Sequence, residues 1–158
     1  MSIEIYYFSG TGNSLHVARE LQARLPESTL TPMVRLLHEH EPIKTRADIV
    51  GFVFPNFCVS IPIPLHAFLH RVDLASAQYL FGLCTRGGTI SEAFEYINQI
   101  IAPQGKKLNA ELNVNMPWNH PVGKENVIAL TKDDETRRAL EAAMQHKLDV
   151  FSQAVLAR

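Results

Sequence analysis

Residues 3–14 read Ile-Glu-Ile-Tyr-Tyr-Phe-Ser-Gly-Thr-Gly-Asn-Ser, and this stretch decides the fold. Ile3 to Phe8 is β-branched and aromatic and stops at Ser9-Gly10-Thr11-Gly12, which reads as a short buried strand running into a tight turn. From Asn13 onward Leu15, Val17, Ala18, Leu21 and Leu25 recur at helical spacing until Pro26 closes the run. The chain therefore opens with a strand, a glycine turn and a helix.

The rest of the sequence repeats that alternation. Thr29 to Leu36 reads as a second strand, with Pro32 confining it to a sheet edge. Asp48 to Phe54 is apolar on both faces, as a central parallel strand covered by helices must be, and it ends at Pro55. A helix is predicted from near Pro64, with Leu65, Phe68, Leu69 and Val72 on its apolar face. Gln78 to Thr85 is a further buried strand, followed by the loop Arg86-Gly87-Gly88-Thr89. Thr89 or Ser91 can cap the next helix, which carries Ala93, Phe94, Ile97 and Ile101.

Lys107 to Val114 alternates as a fifth strand and leads into a polar loop from Asn115 to about Asn126. The last helix has a capping start at Thr131-x-x-Asp134, an acidic first turn, and one stripe of Leu140, Met144, Leu148, Phe151 and Val155. This order predicts an open parallel α/β sheet of three layers, with helices on both faces. Such sheets bind ligands at the carboxyl ends of their strands, which directs attention to the turns after Phe8, Phe54 and Thr85.

Composition sets the outer bounds. The 158 residues carry 15 Lys and Arg against 16 Asp and Glu, a net charge of -1, and 46 % are hydrophobic. At about 150 residues per domain the expectation is one domain spanning residues 1–158. Near-neutrality argues against a partner held by phosphate neutralisation, so no nucleic acid is expected, nor a polybasic membrane contact. Cys58 and Cys84 are too few for a four-cysteine iron–sulfur cluster or a tetrathiolate zinc site. With no basic leader and no run of 18 apolar residues, a cytoplasmic protein without a membrane span is expected.

Ser9-Gly10-Thr11-Gly12-Asn13-Ser14 sits where a strand meets a helix N-terminus, with two glycines for the turn and four side chains able to hydrogen-bond an anion. Unpaired helix amides and the macrodipole favour a phosphate there. The Walker pattern is absent because no lysine follows, and GxGxxG fails because Leu15 stands at its third glycine.

YFSGTGNS after an N-terminal strand resembles the FMN phosphate loop of flavodoxins, most closely that of flavodoxin domains fused to bacterial-type ferredoxins in some anaerobes. Phe54-Pro55 followed by an aromatic residue, Ile61-Pro62, and the Thr-x-Gly-Gly turn extend the likeness along the chain. The resemblance implies a flavodoxin-like sheet of strand order 2-1-3-4-5. It implies that Ser9, Gly10, Thr11, Gly12, Asn13 and Ser14 hold the FMN phosphate. Pro55 to Ser60, including Asn56, Phe57 and Cys58, and the turn Thr85, Arg86, Gly87 and Gly88 would then flank the isoalloxazine ring.

On that resemblance the protein is an electron-transfer flavoprotein whose partner is a ferredoxin-like protein or a flavoprotein reductase on a separate chain. An FMN-dependent NAD(P)H or quinone oxidoreductase and a flavin-free interaction module are the alternatives. Phe57 is the expected ring-stacking residue, Trp118 a second candidate contact, and Arg86 the candidate cation near the pyrimidine end. Flavodoxins usually place a glycine near flavin N5 to allow positive φ; Pro55 to Pro64 has none, and Asn56 has the best left-handed tolerance there. Cys58 and Cys84 fall beside the two ring-flanking loops and could form a redox pair. His66 and His70, at i and i+4, read as a solvated helix face.

Overall fold

The computed structural model describes residues 2–39, 41–117 and 133–158. Five parallel strands form the main sheet: β1 (Ile3–Tyr7), β2 (Ser28–Pro32), β4 (Ile49–Pro55), β6 (Tyr79–Arg86) and β7 (Ala110–Asn115). Their spatial order is β2-β1-β4-β6-β7, which is 2-1-3-4-5 when only the main-sheet strands are counted. All four pairings are parallel, so every connection must cross over one face of the sheet.

Period-two alternation along the strands divides the core in two. Ile3, Ile5, Ile49, Val53, Phe81 and Leu83 project to one face, where α1 (Asn13–Arg24) and α5 (Asp134–Leu156) cover them with Val17, Leu21, Met144, Leu148 and Val155. Tyr6, Val50, Phe52, Phe54, Leu80 and Cys84 project to the other. There α2 (Met33–His38), α3 (Ile63–Leu69) and α4 (Ala93–Ile101) supply Met33, Leu65, Phe68, Phe94 and Ile97. The expected stripe on the last helix is thus the seam of the first layer, and the three-layer α/β sheet is the observed fold.

Several local expectations are corrected. The second strand stops at Pro32, and residues 33–36, expected to continue it, belong to α2 (Met33–His38), with Met33 fully buried under the sheet. Proline lacks the N–H a strand would need to go on, yet it is a good residue to precede a helix. Val72 does not lie on α3; it belongs to β5 (Val72–Asp73), which pairs in parallel with β3 (Ile43–Lys44) as a small second sheet. The fifth strand begins at Ala110, three residues later than expected, because Ala102–Gln104 forms a 3-10 turn that ends in left-handed Gly105.

Helix α5 is capped by Asp133, whose carboxylate accepts from the Thr136 amide at 2.6 Å, a bond that holds its pKa below the usual range. Thr131, the expected cap, lies outside the described residues. Among the described residues no helix is long and apolar enough to cross a membrane.

Gly51, in the middle of β4, is required by close approach. A Cβ there would overlap the ring of Phe81, its cross-strand partner, which fills the space above the glycine. Phe81 is fully buried and packs edge-on against Phe151 of α5, with ring centroids 5.7 Å apart. Gly51→Ala is therefore expected to destabilise the fold by about 1–3 kcal/mol through overpacking. Phe81→Leu in the same chain should recover part of that loss, as thermal denaturation of the single and double variants will show. An unchanged melting temperature for Gly51→Ala would mean that Phe81 shifts freely.

Candidate functional site

The carboxyl ends of the strands are drawn together by continuing the ladder one residue past β1, β4 and β7. Phe8 N donates to Val53 O at 2.9 Å, Asn56 N to Thr85 O at 2.8 Å, and Met116 N to Arg86 O at 2.8 Å. The loops after β1 and β4 are thus pinned at their first residues to a neighbouring strand, and the residue after β7 is pinned to Arg86 at the end of β6. As a result the three turns that the sequence singles out open side by side at the carboxyl edge of the sheet.

The first loop runs from Ser9 to the start of α1. Ser9 Oγ accepts from Gly12 N at 3.1 Å, closing a side-chain turn, and Gly12 takes φ 103°, a left-handed backbone suited to glycine. Intrahelical bonding begins with His16 N to Gly12 O at 2.9 Å, so helix geometry leaves the amides of Asn13, Ser14 and Leu15 without intrahelical acceptors. No acidic residue occupies the first turn of α1, and the positive end of the helix dipole has no carboxylate competing for it.

Gly10, Thr11 and Gly12 are exposed and Ser9 is half-buried. Ser14 is different: it is buried, and its hydroxyl pairs with that of buried Thr85 at 2.8 Å. This bond ties the first turn of α1 to the end of β6. Asn13 donates through Nδ2 to the carbonyl of Pro117 at 2.9 Å, joining the loop to the segment beyond β7.

The second loop, residues 55–60, contains a feature the sequence concealed. Phe57 and Ser60 exchange backbone bonds of 3.0 and 2.9 Å across a two-residue turn whose central residues, Cys58 and Val59, have φ 51° and 68°. The left-handed residues of this loop are therefore Cys58 and Val59, and not Asn56. A turn with both central residues left-handed normally carries Asn-Gly, so its usual signature is missing; holding non-glycine residues there costs about 1–3 kcal/mol each.

Phe57 is 47 % exposed, and its ring meets Phe8 edge-on at 6.2 Å while lying 3.7 Å from where a Cβ on Gly10 would be. One edge of the ring thus packs on the first loop while about half of it stays open.

The third loop, Thr85 to Ile90, is joined to the second by Asn56. Its side-chain nitrogen donates to Thr89 Oγ1 and to the Ile90 carbonyl, both at 3.1 Å, and Glu92 N donates to Val59 O at 2.8 Å. Thr89 is engaged by Asn56 and does not cap α4; Ser91 Oγ instead accepts from the Ala93 amide at 3.3 Å. The oxygen of the Asn56 amide, Oδ1, is buried and has no hydrogen-bond donor among the described residues. Arg86 donates from Nε to Asn115 Oδ1 at 3.1 Å, so its guanidinium is tethered to the end of β7.

The two thiols differ sharply. Cys58 is exposed, whereas Cys84 is buried on the α4 side of the sheet, where burial pushes its pKa up to about 11. Trp118 lies outside the described residues. His66 and His70 are exposed, with ring centroids 4.6 Å apart, and among the described residues no cluster of three metal-binding side chains occurs. A cavity of about 260 Å³, lined by Glu4, Tyr6, Thr31, Glu39 and Lys44 among others, includes none of the three loops.

The site can hold an anion at the start of α1 and a planar group between the second and third loops. A flavin mononucleotide fits this donor set, since the phosphate would meet amides and hydroxyls, and the orphaned Asn56 oxygen offers an acceptor to a ring N–H. The sequence had not revealed the Asn56 clasp or the Ser14–Thr85 bond, because each joins residues at least 33 positions apart.

No family model and no curated sequence matches the chain. Solved structures do. The chain is similar to azoreductase AzrA, at 13 % identity over 96 % of this chain and 99 % of that one, with a TM-score of 0.63. It is likewise similar to a short-chain flavodoxin associated with a bacterial microcompartment, at 13 % identity, 99 % and 97 % coverage and a TM-score of 0.60. A third likeness is to an NAD(P)H:quinone oxidoreductase from Methanothermobacter marburgensis, at 14 % identity, 94 % and 96 % coverage and a TM-score of 0.56. At these identities the likeness defines the fold, which is the flavodoxin-like α/β fold.

The contrast between the cysteines is open to direct measurement. In the native protein a thiol reagent at neutral pH should titrate Cys58 rapidly and leave Cys84 unmodified, with both reacting after denaturation. Two fast thiols in the native state would contradict the burial of Cys84.

Proposed function

We propose that this chain, as one domain spanning residues 1–158, binds FMN and carries electrons to or from a separate redox protein, either ferredoxin-like or a flavoprotein reductase. The observation that supports it best is the meeting of the Ser9 to Ser14 loop with the two loops after β4 and β6 at one sheet edge. Bound FMN would supply one- and two-electron redox chemistry.

The chain's own residues have distinct parts in this reading. The amides of Asn13 and Ser14 and the hydroxyls of Ser9 and Thr11 hold the phosphate, with Gly10 and Gly12 giving the turn its shape. Through its bond to Thr85, Ser14 fixes the helix start relative to the third loop. Pro55, Asn56, Phe57 and Cys58 form one wall of the ring site, and Phe57 excludes water with the open half of its ring. Thr85, Arg86, Gly87 and Gly88 form the other wall, and the tethered Arg86 places positive charge beside it.

A second reading, an FMN-dependent NAD(P)H or quinone oxidoreductase, is favoured by the apolar rim of the cleft. Val59, Ile63 and Ile90, on or next to the second and third loops, are exposed along with Phe57, Ile63 by 85 % and Ile90 by 77 %. Exposed apolar groups gathered at a cleft suit a planar apolar substrate as well as a protein. Turnover of NAD(P)H with a quinone would favour the enzyme; inertness with both, together with reduction by a ferredoxin or reductase, would favour the carrier.

Titrating the purified protein with FMN, followed by its visible spectrum, tests the cofactor. Gly12→Ala places an L-residue at φ 103°, a strain of about 1–2 kcal/mol. It should weaken FMN by about tenfold while affecting riboflavin, which lacks the phosphate, much less. Failure of the unaltered protein to take up FMN overturns this reading.

A further inference from the structure

Asn56 stands in the second loop, bonds to the third, and still has a buried atom unused; among the described residues the only other such side-chain atom is Asn113 Oδ1, on β7. Its backbone N–H is spent on Thr85 O, at 2.8 Å. Its Nδ2 is spent on Thr89 Oγ1 and Ile90 O, each at 3.1 Å. The Ile90 carbonyl settles which end of the amide is nitrogen, because a carbonyl can only accept, whereas the Thr89 hydroxyl could pair with either end. The clasp therefore fixes the direction of Oδ1, and Oδ1 is buried with no donor among the described residues. Buried polar atoms are nearly always paired, so an orphan held in place by two bonds of its own side chain calls for a partner that the described residues do not supply.

We infer that Asn56 Oδ1 is the acceptor for the imide N–H of the flavin ring, making Asn56 a positioning residue that selects ligands with a hydrogen-bond donor at that edge. The inference rests on the FMN reading above and deepens it. Oxidised isoalloxazine carries a single ring N–H, at N3, on the pyrimidine half. An acceptor-only atom can pair with the oxidised ring itself only through that group, and the comparison with 3-methyl-FMN separates this from pairing with a ribityl hydroxyl.

The position is consistent with this chemistry. Asn56 opens the second loop and grips the third, and the third loop is the one that carries Arg86. Residues 57–59 and 87–90, on either side of the Asn56 clasp, are exposed, so a planar ring can approach the clasp from solvent. Thr89 and Ile90, the acceptors of the clasp, are exposed as well, and water can replace Nδ2 there. Removing the Asn56 side chain thus costs the apoprotein little while removing its unpaired atom.

The test compares FMN with 3-methyl-FMN, in which the N–H is replaced by N–CH3, on wild type, Asn56→Leu and Asn56→Asp. Binding is read from flavin fluorescence, and apoprotein stability from thermal denaturation. Asn56→Leu should weaken FMN by about tenfold or more, the effect of leaving one hydrogen bond unmade. It should weaken 3-methyl-FMN much less than FMN, since loss of the clasp between the second and third loops acts on both flavins alike. Asn56→Asp keeps an oxygen in place and gives up the clasp, so it should hold FMN more tightly than Asn56→Leu.

Equal FMN affinity for wild type and Asn56→Leu, or equal weakening of both flavins, overturns the inference and leaves the FMN reading standing. Asn56→Asp as weak as Asn56→Leu overturns it also, by assigning the effect to the clasp. If wild type takes up neither flavin, the FMN reading itself has failed and this inference falls with it.

Discussion

The arrangement depends on β4 being buried on both faces. All six residues from Ile49 to Phe54 are buried, so neither face of the strand can meet water. Its backbone groups are taken up by β1 on one side and β6 on the other, both parallel. Parallel neighbours cannot be joined by tight hairpins, and each connection has to carry a helix over a face that needs covering. The helices thereby satisfy the two faces of β4, and the strand exits are left together at one edge. The location of the candidate site follows from how a doubly buried strand must be packed.

Gathering three loops at one edge does not by itself hold them in a fixed relation. Here that is done by a few polar bonds between residues distant in sequence. Ser14 and Thr85 are both buried, and either hydroxyl alone would be an unsatisfied group costing about 1–3 kcal/mol, so the pair is stable only while α1 stays seated against the end of β6. Asn56 couples the second loop to the third at their bases, and Asn13 couples the first loop to Pro117. Phe57 adds an apolar link back to Phe8. The strained turn at Cys58 and Val59 persists in this setting, since Glu92 N grips the Val59 carbonyl and the Phe57–Ser60 pair closes the turn beneath it.

The sequence revealed those parts of the molecule whose signals are local. The doubly apolar run from Ile49 to Phe54, the glycine turn before Asn13 and the stripe from Met144 to Val155 each identify an element, and their order gives the sheet. Short elements were less legible: α2 has six residues and β3 and β5 two each, too few for a period to show, and their stability comes from tertiary contacts such as Met33 under the sheet. Within the candidate site the turn from Ser9 to Ser14 was legible because glycines and hydroxyls are concentrated in six residues. Cys58 and Val59 gave no warning of left-handed backbone, because the turn is imposed by its neighbours against their own preference. The duties of Asn56, Ser14 and Thr85 were hidden for another reason, since a hydrogen bond across the sheet leaves no periodicity behind.

Near-neutrality acquires a meaning once the rim of the cleft is known. With a net charge of -1, the chain has little long-range field with which to steer a charged partner, and electrostatic steering is what raises association rates between redox proteins of opposite charge. The exposed groups around the cleft are Phe57, Val59, Ile63 and Ile90. Contact there gains free energy from removing apolar surface from water, at about 25 cal/mol per Å², an interaction that acts only at close range and that salt does not screen. On the proposed reading, recognition then depends on how well a partner or substrate fits against the rim. The same residues that suit a protein face also suit a flat apolar molecule, and for that reason the carrier and the quinone-reducing enzyme share one surface and differ in what is allowed to reach the ring.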